Sequence, residues 1–143
     1  MNNFEDFLMD SFEEVEEIER EITIGGKKKK MKFKPISADK GDELRKKCKK
    51  VKLVKGQKMI ETDQDKFVSN QIIETTMHPD LKNSELQKAW GVMGAEELLN
   101  AMKSRMTDGE YADWSSTVIE INGYDKGMQE LVEEAKTNQG RGW

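Results

Sequence analysis

The chain has 143 residues, 36% of them charged and 35% hydrophobic, and a net charge of −4, a composition that suits one compact domain with a modest core. No apolar run is long enough to span a membrane, and the acidic first residues lack the apolar centre of a signal peptide, so we expect a cytoplasmic protein. The single cysteine, Cys48, excludes an internal disulfide bond and a cysteine-rich metal site.

The N-terminal residues carry apolar side chains at helical spacing. Four of them recur at intervals of four, four and three residues, with acidic residues between them: Phe4, Leu8, Phe12 and Val15. The pattern predicts a short amphipathic helix, or a segment that becomes one on a partner. We therefore treat residues 1–16 as an N-terminal element, helical or flexible, that precedes one compact α+β domain over residues 17–136.

Alternation of apolar and polar residues begins at Ile18 and predicts a β-hairpin. Gly25-Gly26 supplies a turn that tolerates positive φ, and the alternation resumes at Met31. The acidic first strand and basic second strand would pair opposite charges, with Lys27 to Lys30 at the tip. Pro35 ends the second strand or places it at an edge of the sheet.

A helix and a second hairpin complete the first half of the domain, residues 17–62. Ser37 is a suitable N-cap for a helix that runs to about Lys50, with acidic residues early and lysines late. Residues 51–54 (VKLV) and 59–62 (MIET), separated by 55–58 (KGQK), predict a second, shorter hairpin.

The second half of the domain, residues 63–136, reads as an array of short helices. The first is capped by Thr62 or Asp63 and ends at His78-Pro79, with an apolar face of Val68, Ile72, Ile73, Thr76 and Met77. Further helices begin at Ser84, Ala95 and Thr107, with inward positions at Leu98, Leu99, Met102, Tyr111, Trp114, Val118 and Ile121. Asn122-Gly123 ends the helix that Thr107 caps. A last helix carries Met128, Leu131, Val132 and Ala135, and residues 137–143 form a disordered tail.

Together these patterns predict an α+β fold. An N-terminal amphipathic helix and a β-hairpin pack on the mainly helical C-terminal array. Four of the nine methionines are expected in the core: Met31, Met93, Met102 and Met128.

No constellation of catalytic or metal-binding residues is evident. The one histidine, His78, precedes a proline and reads as a surface or capping residue. Cys48 has four lysine neighbours that would favour its thiolate, but a partly buried structural cysteine is the preferred interpretation. Adjacent carboxylates such as Glu96 and Glu97 diverge by about 100° on a helix and cannot form an acid–base pair. The pattern therefore predicts a protein that is not an enzyme and has no cofactor or metal.

Acidic and basic residues are concentrated in separate blocks of the chain, which makes nucleic-acid binding a function to consider. Residues 1–21 hold nine acidic and one basic residue, and residues 27–58 hold fifteen basic and three acidic. The basic block has one arginine, Arg45, and one aromatic residue, Phe33, which leaves it without base-reading or stacking groups. Nucleic-acid binding is therefore not the favoured role, and the blocks either steer another partner or neutralise each other.

Several short segments follow one another in the C-terminal half of the chain, at residues 79–81 (PDL), 84–87 (SELQ), 90–99 (WGVMGAEELL), 109–112 (GEYA), 121–124 (INGY) and 130–136 (ELVEEAK). Three more lie towards the N-terminus, at residues 33–36 (FKPI), 45–48 (RKKC) and 6–8 (DFL). In their order and spacing these segments resemble the XkdN-like tail assembly chaperones of contractile-tailed phages and phage-like elements.

The resemblance implies a non-catalytic protein, made during virion assembly and absent from the finished tail, that holds the tape measure protein while tail tube subunits polymerise around it. We expect one part of the partner-binding surface on the N-terminal element, at Phe4, Phe7, Leu8 and Phe12, and the other part around Trp90, Met93 and Tyr111. A homo-oligomer is left open. The alternatives are a structural component retained in the tail and a small nucleic-acid-binding regulator.

Overall fold

A computed structural model describes residues 3–123. Their elements are, in chain order, β1 (Ile18–Ile24), β2 (Lys27–Phe33), α1 (Ala38–Lys47), β3 (Lys49–Val54), β4 (Gln57–Thr62), α2 (Gln64–Thr75), β5 (Thr76–His78), α3 (Ser84–Ala89), α4 (Ala95–Lys103) and α5 (Asp108–Ile121). The fold is α+β, as the sequence predicts. The predicted helix around Met128, Leu131, Val132 and Ala135 and the predicted tail at 137–143 lie outside the described residues.

The first hairpin supplies two strands of a three-stranded antiparallel sheet with the strand order β1-β2-β5, in which β2 is central. Gly25 and Gly26 make its turn with φ of 63° and 81°, which glycine adopts without strain. The register sets Glu19 opposite Lys32 and Glu21 opposite Lys30, so the predicted pairing of unlike charges is confirmed. The predicted position of the lysines at the tip is wrong, because Lys27–Phe33 is strand from its first residue and the two glycines complete the turn alone.

The N-terminal segment, defined here as residues 3–17, does not form the predicted amphipathic α-helix. It forms two short 3₁₀-helices, Asn3–Phe7 and Met9–Ser11, followed by an extended stretch. Isolated short helices are marginal in water unless they pack on another element. Here the apolar side chains are exposed, and the acidic residues between them repel one another.

Helix α1 is capped as predicted, since the Ser37 hydroxyl accepts a hydrogen bond from the backbone N–H of Lys40. It ends at Lys47, earlier than predicted, and the chain turns at Cys48 into the second hairpin, β3–β4. This hairpin is a separate two-stranded sheet. Asp63, at its exit, donates its backbone N–H to the Cys48 carbonyl at 2.6 Å and closes the base of the hairpin.

The predicted position of Thr76 and Met77 on the apolar face of α2 is wrong, because both residues belong to strand β5. The helix ends at Thr75, and Thr76 instead lies opposite Phe33 of β2. The backbone of Thr75 accepts a hydrogen bond from Lys34 N–H at 2.8 Å. The β-branched Thr76 suits a strand better than a helix, and its pairing with Phe33 occupies the second edge of β2.

The core lies between the sheet and the helices α2, α4 and α5. Its buried side chains are Ile22, Ile24, Met31, Phe33, Ile72, Ile73, Leu81, Leu98, Leu99, Trp114 and Val118. Helix α5 is joined to the sheet by the Trp114 indole N–H, which donates to the Thr76 hydroxyl at 3.1 Å. Its C-cap Asn122 accepts from Ile36 N–H at 2.9 Å and donates to the Thr75 hydroxyl at 3.0 Å. Gly123 follows with φ of 83°, as the predicted helix terminator requires.

Candidate partner-binding surfaces

The N-terminal segment presents its apolar side chains to solvent. The exposed fractions are 56% for Phe4, 75% for Phe7, 50% for Leu8 and 65% for Phe12. Soluble proteins rarely expose large apolar side chains in such a continuous stretch without a function for them. All four of the N-terminal residues expected to bind a partner are therefore accessible to one.

The three other residues expected to bind a partner differ in burial. Trp90 and Tyr111 are half-buried and pack against the edge of the core. The Lys103 ammonium lies 4.2 Å from the centre of the Tyr111 ring, so the exposed face of that ring is shared with a cation. Met93 is 88% exposed, which makes its predicted place in the core wrong. It lies in the turn between α3 and α4, which Gly91 and Gly94 form with positive φ.

Trp90 also lines an open cleft of about 480 Å³ between the turn of the first hairpin and helix α4. Its other lining residues are Ile24, Gly25, Lys29, Met102 and Arg105. The apolar floor and the two cations would accommodate an apolar side chain next to an acidic one. The sequence predicts Trp90 as a partner-binding residue but none of the other residues that line the cleft, because those belong to distant parts of the chain.

Glu110 holds one wall of this cleft in place. Its carboxylate accepts hydrogen bonds from the backbone N–H groups of Gly25 at 3.2 Å and Gly26 at 3.0 Å. The same carboxylate completes a capping box with Thr107 at the start of α5. The backbone N–H of Thr107 and those of the turn lower the pKa of Glu110, because they stabilise its charged form.

The second hairpin exposes an apolar surface that the sequence reading did not identify as a site. Val51 lies opposite Ile60, and Leu53 is two residues along the same face of β3. The exposed fractions of Val51, Leu53 and Ile60 are 63%, 71% and 70%. We call these three residues the hairpin face. The sequence predicts the two strands, but a strand pattern alone does not show whether another element covers either face of the hairpin.

Cys48 is buried and structural. Burial raises the pKa of its thiol, and this outweighs the opposing effect of the cations Lys66 and Lys47. The side-chain amide of buried Asn70 lies beside the sulfur and joins three elements. It donates to Glu96 Oε1 at 2.9 Å and accepts from Lys47 Nζ at 3.2 Å.

The described residues give little support to a catalytic, metal-binding or membrane-spanning role. His78 is exposed, in keeping with the surface role expected of it. Over residues 3–123, no group of three or more His, Cys, Asp and Glu side chains could hold a metal ion. In the same part of the chain, no helix combines the length and the apolar character needed to cross a membrane.

Comparison with known proteins identifies relatives over most of the chain. A family model described as the phage XkdN-like tail assembly chaperone protein matches residues 4–136. The protein XkdN of the phage-like element PBSX of Bacillus subtilis (strain 168) is 35% identical over 105 residues, 73% of this chain and 70% of the relative. The protein YqbN of the same strain is 37% identical over 105 residues, 73% of this chain and 69% of YqbN. A crystal structure of YqbN is similar with a TM-score of 0.64 at 28% identity, covering 86% of this chain and 98% of that chain.

Proposed function

The chain belongs to the XkdN-like tail assembly chaperone family of phages, and from this premise we propose that it binds the tape measure protein during tail morphogenesis. It acts in the host cytoplasm, without catalysis and without a cofactor, and leaves before the tail is complete. Tail tube subunits are a second partner that reaches the complex as the tube polymerises.

The exposed apolar side chains of the N-terminal segment are the observation that carries this proposal. A chaperone of this kind needs accessible apolar groups that bind equivalent groups on a client. Phe7 and Leu8 are 75% and 50% exposed, and acidic residues surround them. The charges keep the segment soluble when it is unoccupied, whereas the aromatic and aliphatic groups supply the contact area when a client binds.

Trp90, Met93 and Tyr111 form the second part of the proposed surface. Met93 is 88% exposed and has a flexible side chain that adapts to irregular apolar partners. The cleft beside Trp90 fits one bulky apolar side chain of an amphipathic client helix, and Lys29 and Arg105 favour an acidic neighbour. A long helical client is therefore held at two places.

The proposal is tested by co-expression with the tape measure protein of the same tail, followed by affinity pull-down. The double substitution Phe7→Ala/Leu8→Ala should abolish recovery of soluble tape measure protein. The matched variant Glu13→Gln/Glu14→Gln removes charge from the same segment but no apolar surface, and should retain it. Equal recovery with wild type and with Phe7→Ala/Leu8→Ala would remove the N-terminal segment from the binding surface.

A second experiment distinguishes the alternative of a structural tail component. Mass spectrometry of purified, assembled tails should show the tape measure protein and the tube subunit without this chain. Stoichiometric retention of the chain in the tails would favour the structural role.

A further inference from the structure

The hairpin face is unusual because nothing in residues 3–123 covers it. Every residue of β3 is exposed, and of β4 only Thr62 is partly buried. Within the described part of the chain, no hydrogen bond or ion pair joins residues 50–61 to an element outside the hairpin. A lone two-stranded hairpin is only marginally stable in water, and exposed apolar strands invite further association. The hairpin therefore needs a partner that covers its apolar side.

The charge of the hairpin restricts the chemistry of that partner. The strands and turn carry five lysines and one acidic residue: Lys49, Lys50, Lys52, Lys55, Lys58 and Glu61. Among the described residues, Lys50 is the only one of these lysines in an ion pair, with Glu61 at 3.7 Å. By strand alternation and register, Lys49 and Lys58 lie on the same side as the hairpin face. An acidic segment with bulky apolar side chains would match this surface.

The N-terminal segment has that chemistry. Residues 3–17 hold seven acidic residues and no basic one. Its apolar side chains are exposed, and so is the hairpin face: Phe7 is 75% exposed and Leu53 is 71% exposed in the same chain. The two surfaces therefore do not cover each other within one molecule.

We propose that the N-terminal segment of one copy of this chain lies on the hairpin face of a second copy. In a twofold dimer the contact is made twice, so both exposed surfaces of both copies are covered together. Phe7, Leu8 and Phe12 supply the apolar contact with Val51, Leu53 and Ile60. The carboxylates between them face Lys49 and Lys58. This inference concerns the chain alone and does not depend on the tape measure protein.

The first test measures self-association of the full-length chain by sedimentation velocity over a range of concentrations. Wild type should show a reversible dimer that weakens as salt is raised, because salt screens the paired charges. The variant Val51→Ser/Leu53→Ser/Ile60→Ser should weaken the dimer by about tenfold or more, because it removes apolar surface from the contact. The matched variant Val54→Ser/Met59→Ser alters the opposite side of the same hairpin and should leave the dimer unchanged. Circular dichroism checks that each variant is folded.

The second test identifies the occupant by cross-linking between two differently tagged copies, one with Phe7→Cys and the other with Leu53→Cys. A short bis-maleimide should join the two only in the mixture, giving a product that contains both tags. Buried Cys48 serves as the internal control, since the chain without added cysteines should remain uncross-linked.

Three results would overturn the proposal. A chain that stays monomeric at high concentration has no such contact. A dimer that is equally sensitive to both hairpin variants, or that fails to cross-link between Phe7→Cys and Leu53→Cys, associates through another surface. A monomeric chain whose hairpin-face variant loses the tape measure protein uses the face for its client instead.

Discussion

Replacing Trp114 by phenylalanine tests how the helices are attached to the small sheet. Trp114 is fully buried, and its indole N–H donates to the equally buried Thr76 hydroxyl at 3.1 Å. Trp114→Phe leaves that hydroxyl without its donor, which costs about 1–3 kcal/mol in the free energy of unfolding. The void left by the smaller ring adds about 1 kcal/mol. We expect a total destabilisation of about 2–4 kcal/mol, measured by urea denaturation.

A matched substitution and a double-mutant cycle separate these effects. Trp90→Phe changes the same residue type at a half-buried position with no described hydrogen bond to the indole, and should cost about 1 kcal/mol or less. Thr76→Val removes the hydroxyl, so the double variant Trp114→Phe/Thr76→Val should be more stable than the sum of the single effects predicts, by about 1 kcal/mol. If the two effects are additive, or if Trp114→Phe costs no more than Trp90→Phe, the hydrogen bond does not join α5 to β5 as argued.

Three further predictions follow from single residues. The lowered pKa of Glu110 contributes stability that is fully present above its ordinary value of 4.5 and is lost as pH falls through the lowered value. In thermal melts at falling pH, the melting temperature should therefore fall more steeply for wild type than for Glu110→Gln. Parallel curves would contradict the role of the Glu110 carboxylate in holding the Gly25-Gly26 turn. Cys48 should resist alkylation by iodoacetamide in the folded chain and react once urea unfolds it, as followed by intact mass, because burial blocks access and raises its pKa; rapid labelling of the folded chain would show that it is accessible. Asn70→Ala should destabilise the chain by about 2 kcal/mol in urea denaturation, because it deprives the side chains of Lys47 and Glu96 of a buried partner. A change within experimental error would mean that water solvates those two charged groups when the Asn70 amide is removed.

The elements that the sequence predicts well are those with local signals. Strands β1 and β2 follow from alternation and from the Gly25-Gly26 turn. Helix α5 follows from its cap Thr107 and from its terminator Asn122-Gly123, both of which act within a few residues of the backbone they stabilise. Burial of the inward positions Leu98, Leu99, Trp114 and Val118 is confirmed for the same reason.

The features that the sequence reading missed depend on distant partners. Strand β5 has only three residues and exists because β2 offers it an edge. Met93 is predicted in the core but is exposed, because it lies in the turn that Gly91 and Gly94 form between α3 and α4. The amphipathic spacing at the N-terminus is real, yet no described element covers it, so no α-helix forms. Exposure of the hairpin face has the same origin, since the pattern of a strand does not reveal what packs on it.

The self-association inferred from the hairpin face and the proposed client binding make use of the same N-terminal segment. A dimer would shield Phe7 and Leu8 until a client competes for them, which would keep the free chain from aggregating through its own apolar groups. Dilution below the dimer dissociation constant should then increase the apparent second-order rate constant of client binding, because a larger fraction of the chain is monomeric. A rate constant independent of chain concentration would separate the two surfaces.

The solubility of the tape measure protein, expressed alone and together with this chain, tests the proposed chaperone role. We expect the tape measure protein to be insoluble alone and to elute with the chain as a soluble complex in size-exclusion chromatography. A tape measure protein that stays insoluble in the presence of the folded chain, with nothing eluting beside the chain, would mean that the chain does not bind it.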